Sequence, residues 1–257
     1  MFKPLSLIFL LIFGFDVEAK ITLKAGLPAF PPFAFDESDE THIGSVVRYY
    51  QLLADETGLD IQVVRMPYAR MVKSLREGSL DIAIIFRNAD LANSVNYTGR
   101  VSYARVAIVP QKNRLIEEYE QLLLLSGIAV IRGASFGPRF DYDQNLRKYF
   151  VNDYKQGMSM LKLGRVNAVV GSLAGIEYTS SAIGVDMDNW GRPFLLPDKE
   201  WWLHFSKRSK HRIAESQLKK AVQDLYQTYL IYDLYDGGNL DLEGEKKGKL
   251  NELTLLH

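Results

Sequence analysis

Two stretches of the chain share one order of hydrophobic and polar positions: a helical pattern, a glycine, and an almost unbroken apolar run with one acidic or amide residue. The copies cover residues 74–84 and 160–170, and their glycines are Gly78 and Gly164. A glycine at this place can adopt the left-handed conformation that ends many helices. The apolar run after it is typical of a strand buried on both faces of a sheet. Two copies therefore predict two α/β halves with a cleft between them.

The first half alternates between strand and helix patterns. Apolar strand patterns cover 21–27, 61–64 and 80–86, and helix patterns cover 44–57 and 67–77. The resulting order, β-α-β-α-β, predicts a parallel sheet with crossover helices.

The second half is predicted to repeat this alternation. In the rest of the chain, apolar, strand-like segments cover 101–110, 128–131, 166–170, 195–197 and 201–205, and helix patterns cover 144–150, 155–163, 172–181 and 211–234. The last helix is amphipathic and needs an apolar surface, for which we expect the first half to be the host. That placement predicts two chain crossings between the halves, near Val109 and near Leu195.

The two ends of the chain differ from this folded part. Residues 1–19 combine a positive charge, an apolar run and a small-residue site, which is typical of a cleavable signal peptide. The last residues are charged and aperiodic, which predicts a flexible tail. The predicted domains are a signal peptide at 1–19, a first lobe at 20–109 plus 195–236, a second lobe at 110–194 and a tail at 237–257.

Composition and charge narrow the classes of function. The chain has 257 residues, of which 47% are hydrophobic, enough for two lobes with cores of their own. Lys plus Arg and Asp plus Glu number 31 each, so we predict no nucleic-acid partner. The absence of cysteine excludes disulfides and a lipid-modified N-terminal cysteine. The exported product is expected to be soluble, in the periplasm of a double-membraned bacterium, and we predict a monomer.

No sequence motif indicates a cofactor, a metal or a catalytic centre. The chain lacks glycine-rich nucleotide-binding loops and the Gly-x-Ser-x-Gly motif. Its histidines are scattered without metal-ligand spacing: His42, His204, His211 and His257. We therefore predict no cofactor, no metal site and no catalytic residue.

Several features occur together in an order that resembles a known family. They are the loop Phe30-Pro31-Pro32-Phe33 after the first strand, both helix-glycine-strand patterns, the turn Ile131-Arg132-Gly133-Ala134-Ser135 and the final helix. Over residues 20–237 the chain is similar to the periplasmic solute-binding proteins of family 3, the polar amino-acid ABC-transporter type. The resemblance implies an α/β, two-lobed periplasmic-binding-protein-like (type II) fold with two hinge crossovers. It also implies that a small molecule is captured as the lobes close, for an ABC transporter permease or a membrane sensor.

The resemblance assigns some positions to the ligand and leaves others unmatched. Phe30 and Tyr68 lie where aromatic side chains cover the ligand in the family, and Ser135 lies where a hydroxyl and backbone N–H groups meet a carboxylate. The family's Thr-x-x-Arg segment corresponds to residues 86–93, which have no arginine at that place, and its ammonium-binding aspartate corresponds to Ser172. A standard α-amino acid is therefore not the expected ligand.

Two arginines can replace the missing one. Arg70 follows Tyr68 near the start of its helix, and Arg87 ends a parallel strand, where clefts of such sheets lie. A guanidinium there favours a planar anion. The predicted ligand contacts are Phe30, Tyr68, Arg70, Phe86, Arg87, Ser135 and Ser172. Phe33, Trp201 and Trp202 are expected to serve packing.

Two alternatives remain open. One is an enzyme on the same scaffold, similar to the cyclohexadienyl dehydratases, with Glu177 or Asp90 as general acid. The other is a module without a ligand that serves only as a protein contact. A cleft filled by its own side chains favours the second, and an open cleft with polar walls counts against it.

Overall fold

Residues 21–35, 39, 42–185 and 190–235 are described by a computed structural model of the chain. They form two five-stranded sheets with helices packed against them, which confirms the two-lobed α/β prediction. The predicted signal peptide at 1–19 and the predicted tail at 237–257 lie outside the described residues. Within the described ranges, no helix is long and apolar enough to span a lipid bilayer.

The strands are given first, in chain order. They are β1 (Thr22–Leu27), β2 (Asp60–Arg65), β3 (Ile82–Phe86), β4 (Val95–Ala104), β5 (Val106–Pro110), β6 (Ile128–Ile131), β7 (Lys148–Val151), β8 (Ala168–Ser172), β9 (Phe194–Leu195) and β10 (Lys199–Ser206). The α-helices are α1 (Ser45–Thr57), α2 (Tyr68–Glu77), α3 (Pro138–Asp141), α4 (Tyr154–Lys162), α5 (Leu173–Ala182), α6 (Ala214–Leu225) and α7 (Leu230–Asp233). Short 3₁₀ turns cover Ala89–Leu91 and Tyr119–Leu124.

The two sheets have related topologies. The first has the order β2-β1-β3-β10-β4, and the second has the order β7-β6-β8-β5-β9. In the first sheet, β1 is parallel to β2 and β3, and β10 runs antiparallel to β3. In the second sheet, β6 is parallel to β7 and β8, and β5 runs antiparallel to β8. We call the unit around the first sheet the first lobe and the other unit the second lobe.

The repeated pattern ends two helices as predicted. Gly78 follows α2 with φ of 81°, and its N–H donates to the carbonyl of Ser74. Gly164 follows α4 with φ of 69°, and its N–H donates to the carbonyl of Leu161. A residue with a Cβ is disfavoured at this φ, so glycine is required at both helix ends.

The single polar residue in each copy braces the entry to the following strand. The buried Asp81 carboxylate accepts a hydrogen bond of 2.8 Å from the N–H of Lys24, at the neighbouring strand β1. The buried Asn167 carbonyl accepts one of 2.6 Å from the N–H of Ser126, just before β6. Each side chain satisfies a backbone donor beside the sheet, so one polar residue is tolerated in an otherwise apolar run.

The first crossing between the lobes lies at Arg105, not near Val109. The segment Val106–Pro110 pairs with β8 and therefore belongs to the second sheet. The predicted end of the first lobe at residue 109 is thus four residues too late. Apolar residues run through β4 and β5, and Arg105 is neither glycine nor proline, so the local pattern does not mark the change of sheet. The second crossing lies between β9 of the second sheet and β10 of the first, after Leu195.

The helix predicted at 144–150 is wrong. Lys148–Val151 instead forms β7, an edge strand parallel to β6, and the short helix α3 precedes it. Tyr149 and Phe150 are aromatic residues that favour strands, and both are exposed there because an edge strand is covered on fewer sides.

The final helix packs on the first lobe as predicted but is divided into α6 and α7. Between them the carbonyl of Thr228 accepts hydrogen bonds of 2.8 Å from the N–H of Tyr103 and 3.1 Å from the hydroxyl of Ser102. These donors on β4 replace helical partners, so the helix stops. Val222 of α6 packs so closely on Gly99 of β4 that a Cβ at residue 99 would lie 2.5 Å from it.

Candidate functional site

Three aromatic rings meet where the lobes face each other. Phe30, in the loop after β1, stacks on Tyr68 with ring centroids 5.7 Å apart and planes 16° apart. From the second lobe, Tyr154 approaches Phe30 with a centroid distance of 5.3 Å. We call Phe30, Tyr68 and Tyr154 the aromatic layer. A planar ligand does not fit between Phe30 and Tyr68 in this conformation, because the rings already contact each other.

Both tyrosines of the aromatic layer start a helix of the repeated unit. Tyr68 begins α2 and Tyr154 begins α4, at the same spacing before Gly78 and Gly164. Sequence reasoning missed Tyr154, although its place in the second copy matches that of Tyr68 and could have revealed it. Gly171 makes room for it, since a Cβ there would lie 2.2 Å from the Tyr154 ring.

The hydroxyls of these tyrosines remain protonated at neutral pH. Burial raises the pKa of Tyr154 to about 12, against a backbone hydrogen bond from Ser172 that lowers it. Burial also raises the pKa of Tyr68, and the nearby Tyr154 and Asp141 add to this effect. The aromatic layer is therefore uncharged.

A small central cavity of about 40 Å³ lies behind the aromatic layer. Its walls are apolar or aromatic: Leu27, Pro28, Phe30, Phe33, Ala34, Val46, Tyr68, Ile84, Ile85, Phe86, Ile131, Ala134, Phe136, Tyr154 and Trp201. The indole N–H of Trp201 is buried and has no hydrogen-bond partner within the part of the chain that the structure describes. The space holds a few water molecules but no amino acid.

An outer opening of about 400 Å³ lies on the other side of two of these rings. Phe30 and Tyr68 line both this opening and the central cavity. Together with Pro28, which also lines both spaces, they form the wall between them.

A larger, polar groove of about 500 Å³ has walls from both lobes. The first lobe and its crossing segment provide Arg87, Ala89, Ala92, Tyr97, Tyr103, Asp198, Lys199 and Glu200, and the second lobe provides Ser135, Pro138, Asp141 and Tyr142. We call it the polar groove. It adjoins the central cavity, because the segments 86–87 and 134–136 contribute side chains to both.

Arg87 lies in the polar groove with its guanidinium against aromatic rings. The guanidinium carbon is 4.7 Å from the ring centroid of Tyr97 and 5.1 Å from that of Trp202. Trp201, the neighbour of Trp202 on β10, points to the opposite face and packs on Phe86 at 4.8 Å. The alternation of a strand thus places one tryptophan at the central cavity and the other beneath Arg87.

The donors around Ser135 bind a carboxylate of the chain itself. The Ser135 hydroxyl donates to Asp141 over 2.7 Å, and the N–H groups of Phe136 and Gly137 donate to it over 2.8 and 3.1 Å. Asp141 therefore occupies the donors that the family resemblance assigned to a ligand carboxylate.

The structure brings together most, but not all, of the predicted contacts. Phe30, Tyr68 and Phe86 line the central cavity, and Arg87 and Ser135 line the polar groove. Arg70 is exposed on α2, and Ser172 is buried opposite Val106 beside the first crossing. Neither of these two belongs to the cavity walls described above.

Hydrogen bonds join the lobes next to the polar groove. The amide of the buried Asn88 donates to the carbonyl of Gly133 over 3.1 Å. The hydroxyl of Tyr142 donates to the Asp90 carboxylate over 2.8 Å. We call these two bonds the interlobe bonds. They connect the first lobe to the second, so the structure describes a closed cleft.

Two further chemical questions concern metals and the suggested acids. Among the described residues, no group of three or more His, Asp or Glu could hold a metal ion. Asp90 is exposed and bound by Tyr142, and Glu177 lies on α5, outside the walls of the cavities described above. The prediction that no cofactor is used stays a prediction.

Comparison with known proteins gives one family. The model of the bacterial extracellular solute-binding proteins, family 3, matches residues 23–236. None of the curated proteins has a sequence that matches the chain.

Solved structures share the fold at low sequence identity. Holo ArgBP from T. maritima is 19% identical with a TM-score of 0.67, over 79% of this chain and 90% of that one. The periplasmic VFT2 domain of Bordetella pertussis BvgS is 20% identical with a TM-score of 0.69, over 84% and 93%. The substrate-binding protein of an amino acid ABC transporter is 16% identical with a TM-score of 0.66, over 83% and 96%. At these identities the likeness shows the fold.

Proposed function

We propose, since the chain belongs to the bacterial extracellular solute-binding proteins of family 3, that it is an exported, non-catalytic protein that captures a small polar or anionic solute between its lobes. The captured solute is passed to an ABC importer or reported to a membrane sensor. An ABC importer and a membrane sensor are both proposed as partners, because solved structures with this fold include an ABC-transporter binding protein and a periplasmic domain of BvgS.

The observation that carries the proposal is the shared wall of the polar groove. Arg87 and Lys199 come from the first lobe and its crossing segment, while Ser135 and Tyr142 come from the second lobe. A solute that contacts both walls binds the closed arrangement better than an open one. Binding therefore shifts the population toward closure, which a membrane partner can detect.

The aromatic layer adds a condition for entry into the central cavity. That cavity measures about 40 Å³ while Phe30 contacts Tyr68 and Tyr154. A solute larger than a few water molecules enters it only if Phe30 moves or the lobes separate. The polar groove, at about 500 Å³, accepts a solute without that change.

Melting and scattering measurements test the proposed function. The chain from residue 20 onward is screened by thermal shift against carboxylates, amino acids and small sugars, and stabilising compounds are then examined by small-angle X-ray scattering. A solute that binds only the folded protein stabilises it by about 2.7 kcal/mol at a hundred times its Kd. We expect such a shift together with a solute-dependent change toward the closed form. If no class of solute changes either melting or scattering, the proposal is wrong.

A second candidate function is a module that binds no solute and serves as a protein contact. It is favoured by a cleft that its own side chains fill: Phe30 lies between two tyrosines, and Asp141 occupies the donors around Ser135. In that case the solute-free protein scatters as the closed form and does so with every compound in the panel. Solute-dependent stabilisation would exclude it.

A further inference from the structure

We infer that Arg87 and Lys199 together form an anion site in the polar groove, specific for a ligand that has a carboxylate and no α-ammonium group. The inference rests on the proposed function, because the polar groove belongs to the same cleft. It adds the ligand class and a second cationic residue, which the sequence analysis did not identify.

The two cations are held next to each other by the backbone. The N–H of Arg87 donates to the carbonyl of Glu200 over 3.0 Å. The ammonium of Lys199 donates to the carbonyl of Arg87 over 3.2 Å. Trp201 pairs with Phe86, the last residue of β3, in the antiparallel sheet. Lys199 therefore lies just beyond the end of β3, next to Arg87. Both side chains line the groove.

Two carboxylates of the groove, Asp141 and Glu200, bind other donors. Asp141 accepts from Ser135 and from two backbone N–H groups. Glu200 accepts from Arg100 over 2.9 Å and from the indole of Trp202 over 2.8 Å. The third carboxylate, Asp198, has an interaction of its own.

The two cations, in contrast, have no carboxylate partner among the residues that the structure describes. Within the described residues, neither Arg87 nor Lys199 forms a salt bridge. The rings of Tyr97 and Trp202 hold the Arg87 guanidinium, and the proposed anion contacts the edge of that group. A carboxylate can accept two parallel hydrogen bonds from such an edge.

The positive charges of Arg87 and Lys199 are the reason to expect weaker binding of zwitterions. Burial lowers the pKa of Lys199; the negative charges of Asp141 and Glu200 oppose this effect, and the positive charge of Arg87 adds to it. An incoming carboxylate relieves the repulsion between the two cations. An α-ammonium group placed beside Arg87 and Lys199 would increase it.

Matched pairs of small molecules test the site. Isothermal titration calorimetry at low salt compares benzoate with benzamide and succinate with succinamide. Inorganic phosphate and alanine are measured beside both pairs. We expect carboxylates to bind at least about tenfold more tightly than the amides and alanine, because a charge-assisted hydrogen bond is stronger than a neutral contact. Binding should also raise the pKa of the Lys199 ammonium, which NMR of labelled lysine measures.

Charge-neutral variants with matched controls assign the effect to the two cations. Arg87→Gln and Lys199→Gln should each weaken carboxylate binding about tenfold or more, and Lys199→Arg should retain most of it. The exposed Arg212 and Lys219 of the same lobe provide the controls Arg212→Gln and Lys219→Gln, which should bind as the parent does. Circular dichroism and melting of each variant without solute show whether it is folded.

The outcomes separate this inference from the proposed function. Equal binding of acid and amide, tighter binding of alanine, or carboxylate binding that survives both charge-neutral substitutions overturns the anion site. If neutral solutes or zwitterions stabilise and close the protein, the inference fails while the proposed function stands. If no compound of any charge binds, both fail.

Discussion

At the scale of one residue, burial in the first lobe sets the protonation state of His204. It is fully buried on β10, and its Nδ1 donates to the carbonyl of Trp202 over 2.9 Å. Burial lowers its pKa to about 4, because the charged form loses its hydration. His204 is therefore neutral at pH 7 and packs beneath Tyr97, with ring centroids 5.2 Å apart.

Acid should destabilise the protein through His204. The folded pKa of about 4 lies below the ordinary value of 6.5, so the unfolded chain binds the proton more readily. The free energy of unfolding that depends on neutral His204 is fully present above pH 6.5 and is lost as the pH falls toward 4, by about 3 kcal/mol in total. Urea unfolding of the parent and of His204→Leu at pH 7 and pH 5 measures this. Equal pH dependence of the two proteins would contradict the assignment.

At the scale of secondary-structure elements, the repeated pattern works because its one polar residue is satisfied across the sheet. Asn167 binds the N–H of Ser126 and donates to Gln111 over 3.1 Å. Asp81 has the corresponding role beside β1. The glycine and the apolar run are local signals, whereas the partners of the polar residue come from elsewhere in the chain.

Removing the Asn167 side chain should therefore destabilise the second lobe. Asn167→Ala leaves its former partners without their hydrogen bonds and is expected to reduce the free energy of unfolding by about 1–3 kcal/mol. Chemical denaturation checks the value. The exposed Asn145→Ala is the control and should stay within about 0.5 kcal/mol of the parent. An equal effect of both substitutions would argue against the brace.

The aromatic layer also belongs to this scale, because a loop and two helix starts build it. Phe30→Ala removes the ring that separates the central cavity from the outer opening, and the two spaces should join. We expect a loss of about 1–3 kcal/mol in unfolding free energy, since Phe30 is only half-buried. NMR titration with indole should then show binding that the parent lacks.

The exposed aromatic Phe150 supplies a control for that change. Phe150→Ala should alter neither stability to this extent nor indole binding, because Phe150 lies on the edge strand β7 and lines neither of those two spaces. Indole binding by the parent or by this control would mean that Phe30 does not form the wall.

At the scale of the whole molecule, hydrogen bonds and ring contacts between described residues join the lobes. The interlobe bonds join Asn88 to Gly133 and Tyr142 to Asp90, and the aromatic layer adds ring contacts. Each lobe has its own sheet, so the lobes can separate about the two crossings without breaking strand pairs.

Weakening the interlobe bonds should open the protein without unfolding it. Tyr142→Phe removes the hydrogen bond to Asp90, which should lower the ratio of closed to open molecules. Small-angle scattering without solute should show a larger radius of gyration, and solute affinity should fall. Tyr149→Phe, another exposed tyrosine, should change neither quantity. Unchanged scattering and affinity for Tyr142→Phe would show that this bond does not contribute to closure.

The sequence by itself determined the two α/β halves, the helix-ending glycines and the family resemblance. These depend on signals between residues close in the chain: the period of apolar positions, the left-handed glycine and the order of motifs. It also placed Phe30, Tyr68 and Arg87 correctly on the ends of strands and helices, although their contact with a ligand stays a prediction.

Only the tertiary structure decided the features that join distant parts of the chain. The crossing at Arg105, the edge strand β7, the pairing of Tyr154 with Phe30, the capture of the Ser135 donors by Asp141 and the approach of Lys199 to Arg87 all depend on such contacts. Their energies come from burial and hydrogen bonds between segments that no local pattern connects. A sequence without its fold therefore names candidate side chains but does not show which of them already bind each other.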